Sequence, residues 1–272
     1  MKILFIGDVF GESGRDAITK YLPEIRKKHN PDSVIVNGEN SAHGLGITQK
    51  IAEDFFDLGV NCITGGDHSF DKKEVIPFMN DDPRLIRPIN FPQHDDVPGN
   101  GIYSYRDHKG KFVTVINAMG RVFMNALIDC PFKALDKTLA NIKLKTNSDA
   151  IIVDFHCEAT SEIVCMGHHI DGRVSAVLGT HTHIPTADHR ILENGTAYQS
   201  DVGMTGNYNS SIGMDFKAPM QAYLIGRRLD KMEPLKGPAM LCGALIEINE
   251  TTGLADKMEP IRYGDHGLSQ SF

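Results

Sequence analysis

The chain has 272 residues and a formal net charge of −7, and this length suits one α/β domain. No linker, fixed-period repeat or low-complexity segment interrupts it, so we expect a single domain over residues 1–272. The acidic balance and the lack of any block of Lys or Arg argue against a non-specific nucleic-acid surface, so charge gives no support to RNA as a partner.

The first predicted element is the apolar run "KILFIGD", which reads as a buried strand. The run is too short for a signal-peptide core or a membrane span. The five cysteines are scattered and contain no C-x-x-C pair, which argues against a disulfide framework and a thiolate zinc site. We therefore expect a cytoplasmic protein that does not bind a membrane.

The rest of the first half alternates helical and strand-like patterns. Apolar residues recur at helical spacing after Ser13, a predicted N-cap, and "DSVIVNGEN" follows as a second strand. A second helix is predicted over residues 48–58, and "CITGGDH" is the third strand. Asp71 and Glu74 then predict a capping pair for another helix.

The second half is less regular. "KFVTVINAMG" predicts a strand, and a helix face is predicted over residues 132–142. Next come the strands "AIIVDFHCE", "AVLGTHTH" and "AYQSDVGM", with no helix predicted between them. His168 and His169 are predicted at a hairpin tip, and "GALIEIN" is predicted as the last strand. Several strands in succession favour a second sheet packed on the first, so the predicted fold class is α/β, a layered β-sandwich flanked by helices.

The predicted strands share one feature, which is that polar side chains follow where they end. These are Asp8, Glu39 with Asn40, Asp67 with His68, His156, and His181 with His183. Carboxylates and imidazoles without thiolates suit a pair of divalent ions such as manganese, iron or zinc. In hydrolytic sites two such ions lie about 3.5–4 Å apart, share a carboxylate and activate a water.

Each signal also has a structural explanation. Asp8 could belong to a turn, Asp67 and His68 to a helix cap, His156 to the core, and the pair in "GTHTH" to a capped strand end. The glycines of "IGDVFGESG" match neither the Walker loop nor the dinucleotide loop. The joint occurrence of the polar residues at strand ends is what favours a catalytic site.

The sequence also predicts the environment of residues near the candidate ligands. Cys157 directly follows His156 and should point to the opposite face, into the core. Asp201 and Thr205, in "SDVGMTG", are predicted to hydrogen-bond to the ligand imidazoles.

The motif series resembles that of calcineurin-like metallophosphoesterases. It consists of "GD" at 7–8, "GEN" at 38–40, "GDH" at 66–68, the lone His156 and "GTHTH" at 179–183. More narrowly, "IGDVFGESGR", "NGENSAHGLGIT", "DFHCEATSE" and "GTHTHIPTAD" resemble the YmdB family of that superfamily. The resemblance implies a metallophosphoesterase-like sandwich and a dinuclear-metal phosphodiesterase acting on 2′,3′-cyclic nucleotides, and a homo-oligomer.

The resemblance also implies a role for each residue. One metal would be held by Asp8, Glu39, Asn40 and His183, with Glu39 bridging to a second metal held by Asp67, His156 and His181. The implied cofactors are two divalent or mixed-valence transition-metal ions, iron or manganese, with zinc as an alternative. Asn40 takes the place of the superfamily's D-x-H histidine, and Asp67 stands where the family usually has asparagine.

The predicted reaction is hydrolysis of a phosphodiester by a hydroxide that bridges the two metals. His68, beside Asp67, is predicted to protonate the leaving oxygen, because imidazole titrates near neutral pH. Two alternatives stay open: a phosphomonoesterase or nuclease that uses the same metals, and a non-enzymatic RNA-binding or regulatory protein.

Overall fold

Two β-sheets face each other between two layers of helices in the computed structural model, which describes residues 1–227, 229–264 and 267–269. The strands are β1 (Lys2–Ile6), β2 (Ser33–Asn37), β3 (Cys62–Thr64), β4 (Ile102–Arg106), β5 (Phe112–Met119), β6 (Ala150–His156), β7 (Ala176–Thr180), β8 (Arg190–Ile191), β9 (Ala197–Gln199), β10 (Leu241–Ile248) and β11 (Ala255–Tyr263). The helices are α1 (Gly11–His29), α2 (Gln49–Asp57), α3 (Val75–Asp81), α4 (Pro131–Leu139), α5 (Thr160–His169) and α6 (Lys217–Ile225).

The two sheets have similar plans. The first has the order β11-β10-β1-β2-β3, with β1, β2 and β3 parallel, and the second has the order β4-β5-β6-β7-β9-β8, with β5, β6, β7 and β9 parallel. Antiparallel strands lie at both edges of the second sheet and on one side of the first. The parallel strands of each sheet therefore end together at one edge.

Three apolar clusters separate the four layers. Fully buried residues of both sheets, among them Phe5, Ile35, Ile152 and Leu178, pack between the sheets. Helices α1, α2 and α3 cover the first sheet, whereas α4 and α5 cover the second. The predicted layered α/β architecture is confirmed. Within the described residues, no helix combines the length and the apolar character needed to cross a membrane.

Two predicted helix starts are wrong. Helix α1 begins at Gly11 rather than after Ser13, and the Ser13 hydroxyl donates to the Leu235 carbonyl oxygen at 3.2 Å instead of capping the helix. Helix α3 begins only at Val75, without a side-chain cap, because Asp71 accepts a hydrogen bond from His68 instead. In both places, a contact from outside the helix uses the side chain that the pattern had assigned to a cap.

The second half contains elements that the pattern did not predict. Helix α5 lies between β6 and β7, so the expectation of no helix there is wrong, and His168 and His169 end this helix rather than a hairpin. Ile163, Met166 and Ile170 are buried at helical spacing, which was the available signal. Strand β10, the predicted last strand, is followed by β11, which pairs with it along its whole length.

Asp32 lies just before β2, at the end of the sheets remote from the parallel-strand carboxyl ends. It is only 6% exposed, accepts a hydrogen bond from the Lys2 backbone N–H at 2.8 Å, and has Lys109 Nζ at 2.7 Å. Burial acts to raise the pKa of Asp32, but the contacts with Lys109 and Lys2 outweigh it and hold the pKa below its ordinary value. The ionised carboxylate therefore joins the start of β1 to the hairpin between β4 and β5.

We expect Asp32→Asn to destabilise the protein by roughly 1–3 kcal/mol at neutral pH, because a charge-assisted partner is lost. A carboxylate whose folded pKa is lowered contributes stability above its unfolded pKa and loses it as pH falls through the folded value. The difference between wild type and variant should thus be constant near neutrality and shrink in acid. Urea unfolding at several pH values would measure it, with the exposed Asp95→Asn as control; a pH-independent difference would contradict the ion pair.

Candidate active site

Loops that follow five parallel strands bring the predicted site residues to one edge of the two sheets. Asp8 follows β1, Glu39 and Asn40 follow β2, Asp67 and His68 follow β3, His156 ends β6, and His181 and His183 follow β7. Their alignment follows from the parallel order, since the carboxyl ends of parallel strands share an edge. The two sheets are joined beside this edge by Asn37, whose Nδ2 donates to Asp154 Oδ2 at 3.0 Å.

Gly66 permits the close approach of the loops. A Cβ atom at this position would lie 2.1 Å from Glu39 Oε2 and 2.5 Å from His156 Nε2. Any side chain would therefore push apart two of the predicted ligands. The glycine of the "GDH" motif is required by the space that its neighbours occupy.

Four side chains form the tightest cluster. Glu39, Asp67, His156 and His181 each offer one ligand atom, and these four atoms lie within 4.8 Å of one another. His156 Nε2 lies 3.0 Å from Asp67 Oδ1, 3.2 Å from Glu39 Oε1 and 3.0 Å from His181 Nδ1. These distances bring four potential ligand atoms as close together as a shared cation requires.

Asn40, His183 and Asp8 lie next to this cluster. The Asn40 side-chain amide donates to Glu39 Oε1 at 3.0 Å and lies 3.2 Å from His183 Nε2. Asp8 Oδ2 accepts the backbone N–H of His181 at 3.2 Å, whereas its fully buried Oδ1 has no hydrogen-bond partner. Glu39 thus contacts both Asn40 and His156, and the buried Oδ1 of Asp8 lies 4.0 Å from His156 Nδ1.

Contacts outside the cluster fix the protonation of the imidazoles. His156 Nδ1 lies 2.9 Å from Thr180 Oγ1, and that hydroxyl donates its own proton to Asp154 Oδ1 at 2.7 Å. Thr180 must therefore accept from His156 Nδ1, which leaves the Nε2 atom of His156 with a lone pair. In the same way His183 Nδ1 donates to the Ile212 carbonyl oxygen at 2.9 Å, so its Nε2, 3.2 Å from the Asn40 amide nitrogen, carries the lone pair.

His181 is oriented from the solvent side, where its Nε2 lies 3.3 Å from Glu158 Oε2 and its Nδ1 faces the cluster. Asp201 and Thr205, the predicted partners of the imidazoles, do not fill that role. Asp201 accepts from the backbone and hydroxyl of Thr182, and the Thr205 hydroxyl donates to the Cys242 carbonyl oxygen at 3.2 Å. The expectation for Cys157 is confirmed, because its side chain is buried in the core.

Burial shifts the pKa of four of the predicted ligands. It raises the pKa of Asp8 to about 7, and burial with neighbouring carboxylates raises the pKa of Glu39 above its ordinary range. Burial also lowers the pKa of His156 and of His183 to about 4, so both rings are neutral at pH 7. Neutral imidazole is the form that ligates metals.

These observations fit a bound cation. The lone pair of His156 Nε2 faces carboxylate oxygens of Glu39 and Asp67 at 3.2 and 3.0 Å, an arrangement of acceptors that a cation would stabilise. Oxygen and imidazole ligands without thiolate suit manganese, iron or zinc. The residues present therefore fit the implied metals, whereas their individual roles remain predictions.

His68 lies at the mouth of the site, with its side chain 29% exposed. Its Nδ1 lies 2.9 Å from Asp71 Oδ2, and its Nε2 lies 3.8 Å from Asp67 Oδ2. The backbone N–H of His68 donates to Glu39 Oε2 at 3.3 Å, which ties the loop to the cluster. The imidazole stands beside the four-residue cluster rather than in it.

A layered sandwich whose parallel strands deliver carboxylates and imidazoles to one edge defines an enzyme of the metallophosphoesterase class, the metal-dependent hydrolases of phosphoric esters. A family model described as YmdB-like protein matches residues 4–261. The chain belongs to this YmdB-like family.

Relatives and solved structures agree with this assignment. The chain is 44% identical over 265 residues to the 2′,3′-cyclic-nucleotide 2′-phosphodiesterase of Bacillus subtilis strain 168, covering 97% of this chain and 98% of that protein. It resembles the crystal structure of a novel phosphatase from Mycoplasma pneumoniae with a TM-score of 0.89 and 34% identity, over 97% of this chain and 93% of the other. A hypothetical protein from Thermus thermophilus matches with a TM-score of 0.88 and 37% identity, over 97% of this chain and 100% of the other.

Proposed function

We propose that the protein is a dinuclear-metal phosphodiesterase that hydrolyses 2′,3′-cyclic nucleotides or related phosphodiesters. The observation that carries the proposal is the cluster of Glu39, Asp67, His156 and His181 at one edge of the sandwich, which Asp8 and His183 adjoin. The substrate class follows that of the Bacillus subtilis relative, a 2′,3′-cyclic-nucleotide 2′-phosphodiesterase.

The seven predicted ligands divide into two sets around Glu39. One cation would be held by Asp8, Glu39, Asn40 and His183, and the other by Glu39, Asp67, His156 and His181. The position of Glu39 Oε1, 3.0 Å from the Asn40 amide and 3.2 Å from His156 Nε2, supports its bridging role. When bound, two iron or manganese ions, or zinc, would neutralise the phosphate oxygens and activate a water for attack.

The protein's own residues supply the proton for the leaving group. His68 stands at the mouth, and Asp71 accepts from its Nδ1 at 2.9 Å, so that Nε2 is the atom that faces a bound ester. A protonated Nε2 would donate to the leaving oxygen, and Asp71 would stabilise the charged imidazolium before transfer. In a cyclic phosphate the leaving oxygen stays tethered to the ribose, so a single general acid suffices.

We expect about two transition-metal ions per chain in protein purified without chelator, because the ligands form two sets that share Glu39. The same preparation should hydrolyse 2′,3′-cyclic nucleotides and a bis-aryl phosphate faster than a mono-aryl phosphate, and lose activity on chelation. Elemental analysis measures the metal content per chain, and a substrate panel measures the relative hydrolysis rates.

Three outcomes would contradict the proposal. A ratio near one ion per chain after full reconstitution would exclude the dinuclear site. Faster turnover of the mono-aryl phosphate would indicate a phosphomonoesterase, and full metal content without turnover of any ester would favour a regulatory protein.

A further inference from the structure

We propose a second ligand site, for a nucleotide-sized phosphate ester, in a cavity between helix α4 and the segment that leads into β4. The cavity has a volume of about 760 Å³, which lies within the range of pockets that enclose small organic ligands. None of the predicted ligands at the sheet edge lines it. The proposal is therefore independent of the catalytic function proposed above.

The cavity has an excess of positive charge. Arg87, Lys133 and Lys137 line it, against the single carboxylate of Asp129. Lys133 and Lys137 are separated by one turn of α4, so both ammonium groups lie on the same face of the helix. An anionic ligand would complement this wall.

Arg87 is the strongest indication, because its side chain is buried and only 8% exposed. Its guanidinium donates to the backbone carbonyl oxygens of Pro88 at 2.8 Å, Pro98 at 3.3 Å and Gly99 at 3.2 Å. These neutral acceptors hold the group in place without balancing its charge. A buried cation is costly unless it is paired, and an anion in the cavity would pair it.

The start of helix α4 adds to this potential. The N-cap residue Cys130 lines the cavity and makes no side-chain capping hydrogen bond. Pro131, the first residue of α4, has no backbone N–H, so the N–H groups without an acceptor inside the helix are those of Phe132 and Lys133, and the helix dipole favours an anion there. Lysine side chains and a helix N-terminus together form a typical phosphate site.

The remaining wall suits a nucleobase. Phe91, Ile89 and Ile142 offer apolar surface, and the amides of Gln93 and Asn100 offer hydrogen-bonding groups. A base could pack on the apolar side while its phosphate reaches the lysines, so we assign the ligand class as nucleoside monophosphates. Inorganic phosphate alone would contact the lysines but leave the apolar side of the cavity empty.

Cys130 provides a direct readout of occupancy. It is partly exposed in the cavity wall, whereas Cys165 is exposed on α5 outside it, and Cys62, Cys157 and Cys242 are buried. We expect adenosine 5′-monophosphate to slow alkylation of Cys130 in the full-length, metal-loaded protein and to leave Cys165 unaffected. Mass spectrometry of the labelled peptides gives the concentration that protects half of Cys130, with adenosine and inorganic phosphate protecting only at higher concentrations.

The double substitution Lys133→Ala with Lys137→Ala should raise that concentration by about tenfold or more, because two charge-assisted contacts to phosphate are lost. Lys27→Ala with Lys28→Ala removes the same charge from exposed positions on α1 and should change nothing. Glu39→Gln should also leave protection unchanged, which separates this cavity from the catalytic edge. The proposal fails if the nucleotide does not protect Cys130, if the α4 lysines are irrelevant, or if protection disappears in Glu39→Gln.

Discussion

Replacing Glu39 by glutamine is expected to cause the largest loss of activity of any single conservative change in this protein. Glu39 is buried, and its carboxylate lies within 3.3 Å of the Asn40 amide, His156 Nε2 and the His68 backbone N–H. If it bridges two cations, its neutralisation weakens both sites together. We expect metal content to fall below one ion per chain and the rate to fall further than the roughly 10²- to 10⁴-fold that loss of a general acid costs.

Without metal, we expect the same substitution to leave the stability of the fold unchanged or to increase it. The folded pKa of Glu39 is raised, so its burial opposes folding increasingly as pH rises from the unfolded pKa towards the folded one. Glutamine mimics the protonated acid, so in chelator Glu39→Gln should unfold at the same or a higher temperature than wild type near neutral pH. This result would show that lost activity reflects lost metal rather than misfolding.

Terminal ligands provide the matched control for Glu39. Asp67→Asn replaces the carboxylate of one terminal ligand by an amide, and should reduce the metal content less than Glu39→Gln does. Elemental analysis and calorimetry of both variants, with and without chelator, make the comparison. Equal metal loss in the two variants would contradict the bridging role.

Replacing His68 by alanine is expected to lower the rate by roughly 10²- to 10⁴-fold while metal content stays near that of wild type. The imidazole lies beside the ligand cluster, with Nε2 3.8 Å from Asp67 Oδ2, and is not needed as a ligand in the proposed assignment. A general acid matters most when the leaving group is a poor one. The loss should therefore be large for a ribose oxygen and small for nitrophenolate.

Asp71→Asn tests the general-acid role of His68 through the residue that accepts its Nδ1 hydrogen bond. Asp71 Oδ2 lies 2.9 Å from His68 Nδ1 and is outside the metal-ligand set, so the variant should retain its metals. It should show a smaller loss than His68→Ala, with the same dependence on the leaving group. If His68→Ala strips the metals, or slows both substrates equally, then His68 is a ligand or a phosphate contact and not the acid.

The sequence by itself determined the layered α/β class and the position of the chemistry at the strand ends. This was possible because strand and helix periods are local, and because residues that follow parallel strands must gather at one edge. Asp8, Glu39, Asp67 and His156 could therefore be grouped from their positions alone, although they lie as much as 148 residues apart in sequence, from 8 to 156. The predicted strands β1, β2 and β3 and the helix predicted over residues 48–58, observed as α2, needed only local information.

Only the tertiary structure decided which groups hold the imidazoles and where each helix begins. The partner of His156 is Thr180 on the neighbouring strand, and the partner of His183 is the carbonyl oxygen of Ile212, a backbone atom that no side-chain motif marks. Asp71 accepts a hydrogen bond from His68 rather than capping α3. A short carboxylate side chain can reach several donors, and the folded structure determines which donor lies in the best position. Local sequence patterns determine the period of each helix and strand and the face that it buries. Hydrogen-bond partners depend on distances between segments, and these distances are set only when the layers have packed.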